Sequence, residues 1–228
     1  MMRRVWRWLA GLITLLLLVS VLAVGVLRWV NPPITAFMAA DWLDDVLHGR
    51  PSSLSRQWVS LDAISPSLQL AVIAAEDQKF PAHWGFDVSA IQGAIESNAR
   101  GGRVRGASTL TQQVAKNLFL WSGRSYVRKA LEAYFTLLIE LLWPKARILE
   151  VYLNIAEWDE NLYGAETAAR RFYGVSARRL STHQASHMAA VLPNPKLYNP
   201  VRPSSHIAER AHWIRGQMRN LGDTYLRN

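Results

Sequence analysis

The chain has 228 residues, half of them hydrophobic, which is enough for one good-sized domain with a real core. It carries 26 Lys and Arg against 17 Asp and Glu, for a net charge of +9. The sequence contains no cysteine, which excludes disulfides and thiolate metal sites.

The first element in the chain is an uncharged apolar segment. Residues 9–27 contain no charged side chain, and a run of about 19 residues just spans a hydrocarbon layer of roughly 30 Å as a helix. Three arginines precede it and one follows closely, so the positive-inside tendency places the N-terminus in the cytoplasm. A cleaved signal peptide is the alternative, but the apolar run continues past the candidate cleavage site.

This segment divides the chain. We predict a cytoplasmic N-terminus at 1–8, a transmembrane anchor at 9–30, a linker with a membrane-proximal helix at 31–50, and a folded extracytoplasmic domain at 51–228. The arginines around the anchor account for +4 of the charge, which leaves +5 on the domain. That charge suits anionic headgroups or a phosphate-bearing lipid as well as it suits ordinary solubility. Nucleic acid is not expected as a partner, because the exported side of a membrane contains little of it.

The pattern of the domain is almost wholly helical. Ser65 followed by Pro66 is typical of a helix start, and Asp87 is a second expected cap. Residues 57–61 alternate and form the one candidate strand, and the apolar segment 134–143 is expected to be deeply buried. The predicted helices cover 34–47, 65–76, 87–100, 109–120, 125–143, 144–155, 164–173, 182–192 and 204–221.

A first block, EDQKFPAHWGFD, begins at Glu76 directly after the apolar run 70–75. We therefore expect Glu76 where a helix leaves the core and enters a cleft, a placement that makes a half-buried proton acceptor. Asp77 is expected to hydrogen-bond rather than react. A structural role is the better interpretation of His83, because no metal-ligand spacing surrounds it.

A second block, RGASTLTQQVAKNLFL, reads as an amphipathic helix with Ser108 as a candidate N-cap. One face is for packing and the other is for a ligand. The packing face carries Leu110, Val114, Leu118 and Trp121, and the ligand face carries Thr109, Gln112, Gln113 and Lys116.

A third block, RSYVRKALE, places Arg128 and Lys129 within one helical turn of Glu132. By itself such a group is a surface ion pair worth a few tenths of a kcal/mol. Together with Lys116 and Arg124 it becomes a cation-rich cluster around one carboxylate. That arrangement suits a diphosphate, with a divalent metal bridged by Glu132.

These three blocks occur in order with KARILEVYLN, YGAETAARRFYG and LPNPKLYNPVRPS, and over about residues 57–220 the chain resembles the monofunctional, membrane-anchored peptidoglycan glycosyltransferases. The resemblance implies a mainly α fold, with a lysozyme-like glycosyltransferase domain and a small membrane-proximal lobe after one N-terminal transmembrane helix. It implies lipid II as substrate, its polymerisation into glycan strands, and release of undecaprenyl diphosphate.

The resemblance also assigns roles. Glu76 matches the general base that deprotonates the acceptor sugar's 4-hydroxyl, and Glu132 matches a second carboxylate that organises the diphosphate with a divalent cation, Mg or Mn. The positions matched to substrate binding are Lys116, Arg124, Arg128, Lys129, Ser108, Gln112, Gln113 and Asn117. The implied partners are lipid II, the growing strand, the bilayer and other cell-wall synthesis proteins.

The chemistry agrees with this assignment. A glycosidase needs an acid for its poor leaving group, whereas a diphosphate leaves without one if cations stabilise its charge. The sequence contains neither a GxGxxG nor a P-loop pattern, and this absence argues against a nucleotide-bound donor. Two alternatives remain, namely a lysozyme-like lytic hydrolase of peptidoglycan and a catalytically idle membrane-anchored scaffold.

Three further observations limit the interpretation. The segment Trp158 to Gly164 departs from the glycine-rich turn of many family members, although Asp and Asn tolerate the left-handed backbone that such a turn uses. His183 and His187 lack the intervening Glu of a zinc-binding HExxH pattern. The absence of SxxK and KTG patterns excludes a penicillin-binding transpeptidase domain.

Overall fold

A computed structural model describes residues 2–50, 54–99, 108–123, 125–222 and 225–226. Within these ranges the fold is mainly α, as predicted. Its helices are α1 (Met2–Leu27), α2 (Ala36–Leu47), α3 (Pro66–Glu76), α4 (Val88–Ala99), α5 (Leu110–Phe119), α6 (Tyr126–Leu142), α7 (Lys145–Ile155), α8 (Ala165–Tyr173), α9 (Thr182–Val191) and α10 (Ser205–Leu221). Strands β1 (Ser55–Arg56), β2 (Glu157–Asp159) and β3 (Leu162–Tyr163) form a sheet in the order β1-β3-β2, with β1 parallel and β2 antiparallel to β3.

Helix α3 is the centre of the core. The Ser65 side chain accepts a hydrogen bond from the Ser67 N–H, and Pro66 occupies the first helical position, as the sequence predicts. Every residue from Leu68 to Ala74 is buried, and the helix packs against α9 and α10. It ends at Glu76, so the carboxylate leaves the core at the predicted point.

The start of α5 corrects one prediction. Its N-cap is Thr109, not Ser108, because the Thr109 hydroxyl accepts from the Gln112 N–H while the Gln112 side chain accepts from the Thr109 N–H. The Thr109 hydroxyl also donates to the Gly85 carbonyl at 2.6 Å. Thr109 is therefore buried rather than on a ligand face, and Trp121 lies beyond the end of the helix.

The predicted strand at 57–61 is wrong. The structure places the strand just before it, at β1, and the backbone N–H groups of the segment bond to side chains instead of a ladder. Val59 donates to Asn154 Oδ1 at 2.9 Å and Leu61 donates to Glu150 Oε2 at 3.2 Å. The segment therefore runs along α7 as an extended chain.

The expectation that residues 134–143 are deeply buried holds for one stripe only. Thr136, Ile139 and Glu140 face inward, but Leu137 is 51% exposed and Leu141 is 69% exposed. The reason is that α6 lies on the side of the domain, so its apolar residues extend around more of the helix than the domain covers.

The turn that departs from the family pattern is formed by a left-handed asparagine. Asn161 has a φ of 57° between β2 and β3, a left-handed conformation that asparagine tolerates better than most residues. Its side-chain amide donates to Asp45 Oδ2 at 2.9 Å, and this bond ties the hairpin to the end of α2.

Helix α1 is, among the described residues, the one helix long and apolar enough to cross a membrane. Its C-terminal end is bonded to the domain. The Trp143 indole donates to the Val24 carbonyl at 2.8 Å and Arg28 donates to the Leu142 carbonyl at 2.8 Å. Arg147 donates to the carbonyls of Leu27 and Val30, each at 3.0 Å. The candidate anchor is therefore attached to α6 and α7 by more than the covalent chain.

Gly85 gives a test of this packing. Its φ is +77°, and a Cβ there would lie 2.5 Å from Thr136 Cγ2. We expect Gly85→Ala to lower the free energy of unfolding by about 2–4 kcal/mol, through strain and overpacking together. Gly49→Ala is the control, because its φ is +64° but nothing lies within 4 Å of the added Cβ, and it should cost only about 1 kcal/mol. Urea unfolding measures both, and equal losses would contradict the predicted clash.

Candidate active site

Glu76 is the last residue of α3 and lies in a cavity of 550 Å³. Its side chain is 16% exposed. The Gln113 side-chain amide donates to Glu76 Oε2 at 3.0 Å, and Arg210 Nη2 donates to Oε1 at 3.4 Å. Three helices, α3, α5 and α10, therefore meet at this carboxylate.

The environment of Glu76 raises its affinity for a proton. Burial raises the pKa of Glu76 above its ordinary value, the charge of Asp77 adds to this, and the hydrogen bond from Gln113 and the charge of Arg210 oppose it. A carboxylate is a better general base when its pKa is closer to the working pH. It then binds a proton more firmly and is still ionised in many of the molecules. The geometry suits a general base.

Arg210 is the site residue that the sequence reasoning missed. It comes from α10, far from the three blocks, and contacts Glu76 across the cleft. The available signal was its position between Ile207 and Ile214, on the face of α10 that packs inward. A cation on such a face needs a partner inside the protein. The same helix and the loop before it line the cavity with Tyr198, His206 and Ile207.

Asp77 does not line the 550 Å³ cavity and forms hydrogen bonds within the protein instead. Its Oδ1 lies 2.8 Å from His83 Nε2, and its Oδ2 accepts the Leu110 N–H at 2.9 Å. The ring of His83 is nearly buried, and the His83 carbonyl accepts from Lys145 at 2.6 Å. Both residues therefore have the structural roles that the sequence predicts.

The ion pair of Glu132 is buried. Its side chain is 3% exposed, and Arg128 Nη1 donates to Oε2 at 2.7 Å from a side chain that is only 12% exposed. Lys129 bonds the other oxygen, Oε1. The alternative of a solvated surface pair is thus excluded for Arg128, although Lys129 remains half exposed.

Lys116 belongs to the same neighbourhood. Burial lowers the pKa of its ammonium, Glu132 opposes that shift, and the charges of Arg128 and Lys129 add to it. The ammonium also lies 5.2 Å from the centre of the Phe37 ring. Lys116 is thus coupled by charge to the carboxylate that Arg128 and Lys129 bond, and these three cations leave the cluster with an excess of positive charge. Arg124, the fourth predicted cation, lies outside the described residues.

The predicted polar positions differ in their surroundings. Ser108 is exposed, lines the Glu76 cavity and accepts from Lys129 at 3.4 Å. Gln112 is 4% exposed and its side chain caps α5, which gives it a structural task in place of a cleft-lining one. Asn117 has a buried Oδ1 with no hydrogen-bond donor among the described residues. Its role in substrate binding stays a prediction.

The residues present do not fit a divalent cation held by protein ligands alone. The described part of the chain contains no group of three or more His, Cys, Asp or Glu side chains that could hold a metal ion. Both oxygens of Glu132 are already paired with cations. The Mg or Mn ion predicted at Glu132 stays a prediction. The rings of His183 and His187 lie next to each other, with centres 4.3 Å apart and planes tilted by 39°.

Comparison with known proteins gives a consistent picture. A family model described as Transglycosylase matches residues 44–219. The chain is 61% identical to the biosynthetic peptidoglycan transglycosylase of Pseudomonas syringae pv. syringae (strain B728a) over 208 residues, covering 91% of this chain and 88% of that protein. It is 56% identical to the biosynthetic peptidoglycan transglycosylase of Pseudomonas fluorescens (strain SBW25) over 227 residues, covering 99% of this chain and 95% of that protein.

The two cations on Glu132 differ in burial and so form a matched pair. We expect Arg128→Ala to lower the free energy of unfolding by about 3 kcal/mol, because it leaves a buried carboxylate short of its main partner. Lys129→Ala removes a half-exposed partner of the same carboxylate and should cost about 0–1 kcal/mol. Urea unfolding decides the point, and a larger loss for Lys129→Ala would overturn this account of the pair.

Proposed function

The chain belongs to the transglycosylase family and is a peptidoglycan glycosyltransferase, and we propose that it polymerises lipid II into glycan strands with release of undecaprenyl diphosphate. In this proposal Glu76 is the general base. The observation that carries the proposal is the placement of one largely buried carboxylate, Glu76, in a cavity, with Lys116 coupled by charge both to it and to the buried Glu132 that Arg128 and Lys129 bond. A base and an anion site are the two parts that this transfer requires.

The base acts on the acceptor. Glu76 takes the proton of the acceptor sugar's 4-hydroxyl as that oxygen forms a bond to the anomeric carbon of the donor. The raised pKa of Glu76 supports this step, because the carboxyl group then retains the proton it receives. Gln113 and Arg210 each bond one oxygen of the carboxylate and so fix its direction.

The cations act on the leaving group. As the bond between the anomeric carbon and the diphosphate breaks, the electron pair moves to the diphosphate oxygen. Lys116, Arg128 and Lys129 are positioned to stabilise that charge without any proton donor. Lys116 is electrostatically coupled to both Glu76 and Glu132, which supports a single site for the two halves of the reaction.

A lytic hydrolase is less well supported. Hydrolysis of a glycosidic bond requires a second carboxyl group that is free to act as acid or nucleophile. The two carboxylates considered for that role are already engaged, Asp77 by His83 and the Leu110 N–H, and Glu132 by Arg128 and Lys129. A diphosphate-linked donor removes the need for such a group.

Helix α1 supports the membrane part of the proposal. The helix is apolar, long enough to span a bilayer and almost wholly exposed. We propose that it anchors the chain with the domain on the extracytoplasmic side, where lipid II, the growing strand, the bilayer and other cell-wall synthesis proteins are its partners. The arginines before the segment support this orientation.

Glu76→Gln tests the base. The amide keeps the shape of the side chain but cannot accept a proton, so polymerisation of labelled lipid II should fall at least ~10²-fold. Binding of a diphosphate-mimicking inhibitor should persist, because the cations are unchanged. Glu209→Gln, on the exposed side of α10, is the control and should polymerise normally. Lys116→Ala should instead lose inhibitor binding. Full polymerisation by Glu76→Gln would reject Glu76 as the base.

A reporter fusion tests the orientation. A reporter that is active only outside the cytoplasm, fused after residue 228, should be active, and membrane washing with carbonate should not release the protein. The same reporter fused after residue 8 provides the matched control and should be silent. Activity of a cytoplasmic reporter at position 228 would show that the proposed topology is inverted.

A further inference from the structure

Two hydrogen bonds in series connect the core of the domain to Glu76. The Tyr152 hydroxyl, from α7, donates to Gln113 Oε1 at 3.3 Å. The amide group of the same Gln113 side chain donates to Glu76 Oε2 at 3.0 Å. The catalytic carboxylate on α3 is thereby joined through α5 to a tyrosine that does not line its cavity.

The hydroxyl of Tyr152 holds the acceptor end of the Gln113 amide in place. A glutamine side chain has one donor end and one acceptor end, so a rotation of half a turn exchanges them. With Oε1 held by the tyrosine hydroxyl, the NH₂ end faces Glu76. In the reverse orientation Oε1 would face the carboxylate, and two acceptors would meet unless Glu76 carried a proton.

Tyr152 is suited to act as a fixed donor. The side chain is 2% exposed. Burial, together with the negative charges of Glu76 and Asp77, raises the pKa of the phenol well above its usual range, so the hydroxyl keeps its proton. Among the described residues, the hydrogen bond of this hydroxyl is the one to Gln113.

We propose that Tyr152 is a positioning residue: its hydroxyl holds the Gln113 amide with the NH₂ toward Glu76, and this keeps Glu76 in the ionised form that accepts the proton of the substrate. The inference rests on the proposed role of Glu76 as the base. According to this inference, the hydrogen bond from the Gln113 amide to Glu76 sets the pH above which the enzyme is active.

The other charged or titratable groups around Glu76 come from three helices and do not bond the Tyr152 hydroxyl. Arg210 and His206 lie on α10, Lys116 on α5 and Asp77 at the end of α3. The charges of Arg210, Lys116 and Asp77 act on Glu76 independently of the Gln113 amide. Removal of the tyrosine hydroxyl therefore isolates the contribution of that amide.

The test is the pH profile of lipid II polymerisation by the full-length protein. The rate requires ionised Glu76, so it falls as the pH drops through the pKa of Glu76. Tyr152→Phe removes the bond that holds Gln113 Oε1, so the Gln113 side chain is held less firmly and its bond to Glu76 weakens, which raises that pKa. We expect the acid limb to move up by about one pH unit, so that the rate below the limb falls about tenfold while the rate on the plateau is nearly unchanged.

Tyr163→Phe is the matched control. Tyr163 is buried to the same 2% and its hydroxyl also bonds a side chain, but that partner is Asp41 on α2. Its acid limb should coincide with that of the parent. A uniform loss of rate at every pH in Tyr152→Phe, with no movement of the limb, would show that Tyr152 only packs, and would overturn the proposal.

A double variant tests the route through Gln113. In a Gln113→Ala background there is no amide to orient, so adding Tyr152→Phe should change the limb no further. Additive shifts would overturn the relay. Glu76→Gln, measured alongside, separates the two levels: if it polymerises like the parent, the proposed base is wrong, whereas an inactive Glu76→Gln with an unshifted Tyr152→Phe limb removes only the role of Tyr152.

Discussion

The two oxygens of Asp77 join three parts of the fold that lie far apart in sequence. One oxygen holds His83 in the loop after α3, and the other holds the first N–H of α5. Because Asp77 directly follows Glu76, the bond to α5 fixes the Glu76 carboxylate relative to the helix that carries Gln113 and Lys116. The proposed base and the proposed anion site therefore keep one relative position.

Buried carboxylates elsewhere in the domain show why Glu76 is different. Glu140 accepts from Thr111 at 2.6 Å and from Lys145 at 2.8 Å, and Glu166 accepts from Arg170 and from the Ala177 N–H, each at 2.6 Å. Such short bonds join separate elements of the fold. Glu76 receives one amide bond and one long contact from Arg210. Its weaker stabilisation leaves it with the proton affinity that a base needs.

The sequence predicts much of this fold because local rules apply at most helix ends. Ser65 with Pro66 and Asp87 with the Ala90 N–H begin helices as caps should. The errors occur where a distant partner decides the outcome. Thr109 replaces Ser108 as cap because its hydroxyl also reaches Gly85, and residues 57–61 are not a strand because side chains of α7 take their N–H groups. Arg210 was missed for the same reason, since its partner is Glu76, on a different helix.

The attachment of α1 has a consequence for any shortened version of the protein. The Arg147 guanidinium donates hydrogen bonds to the carbonyls of Leu27 and Val30 and to the Asn31 side chain. The Trp143 indole N–H donates to the Val24 carbonyl. Deleting α1 would remove the Val24 carbonyl from the Trp143 indole and the Leu27 carbonyl from Arg147, and would uncover the side of α6 that it shields. A truncated protein without α1 therefore has an altered α6–α7 surface. Kinetic comparisons between the full-length and the truncated enzyme should take into account that α6 and α7 have lost these contacts.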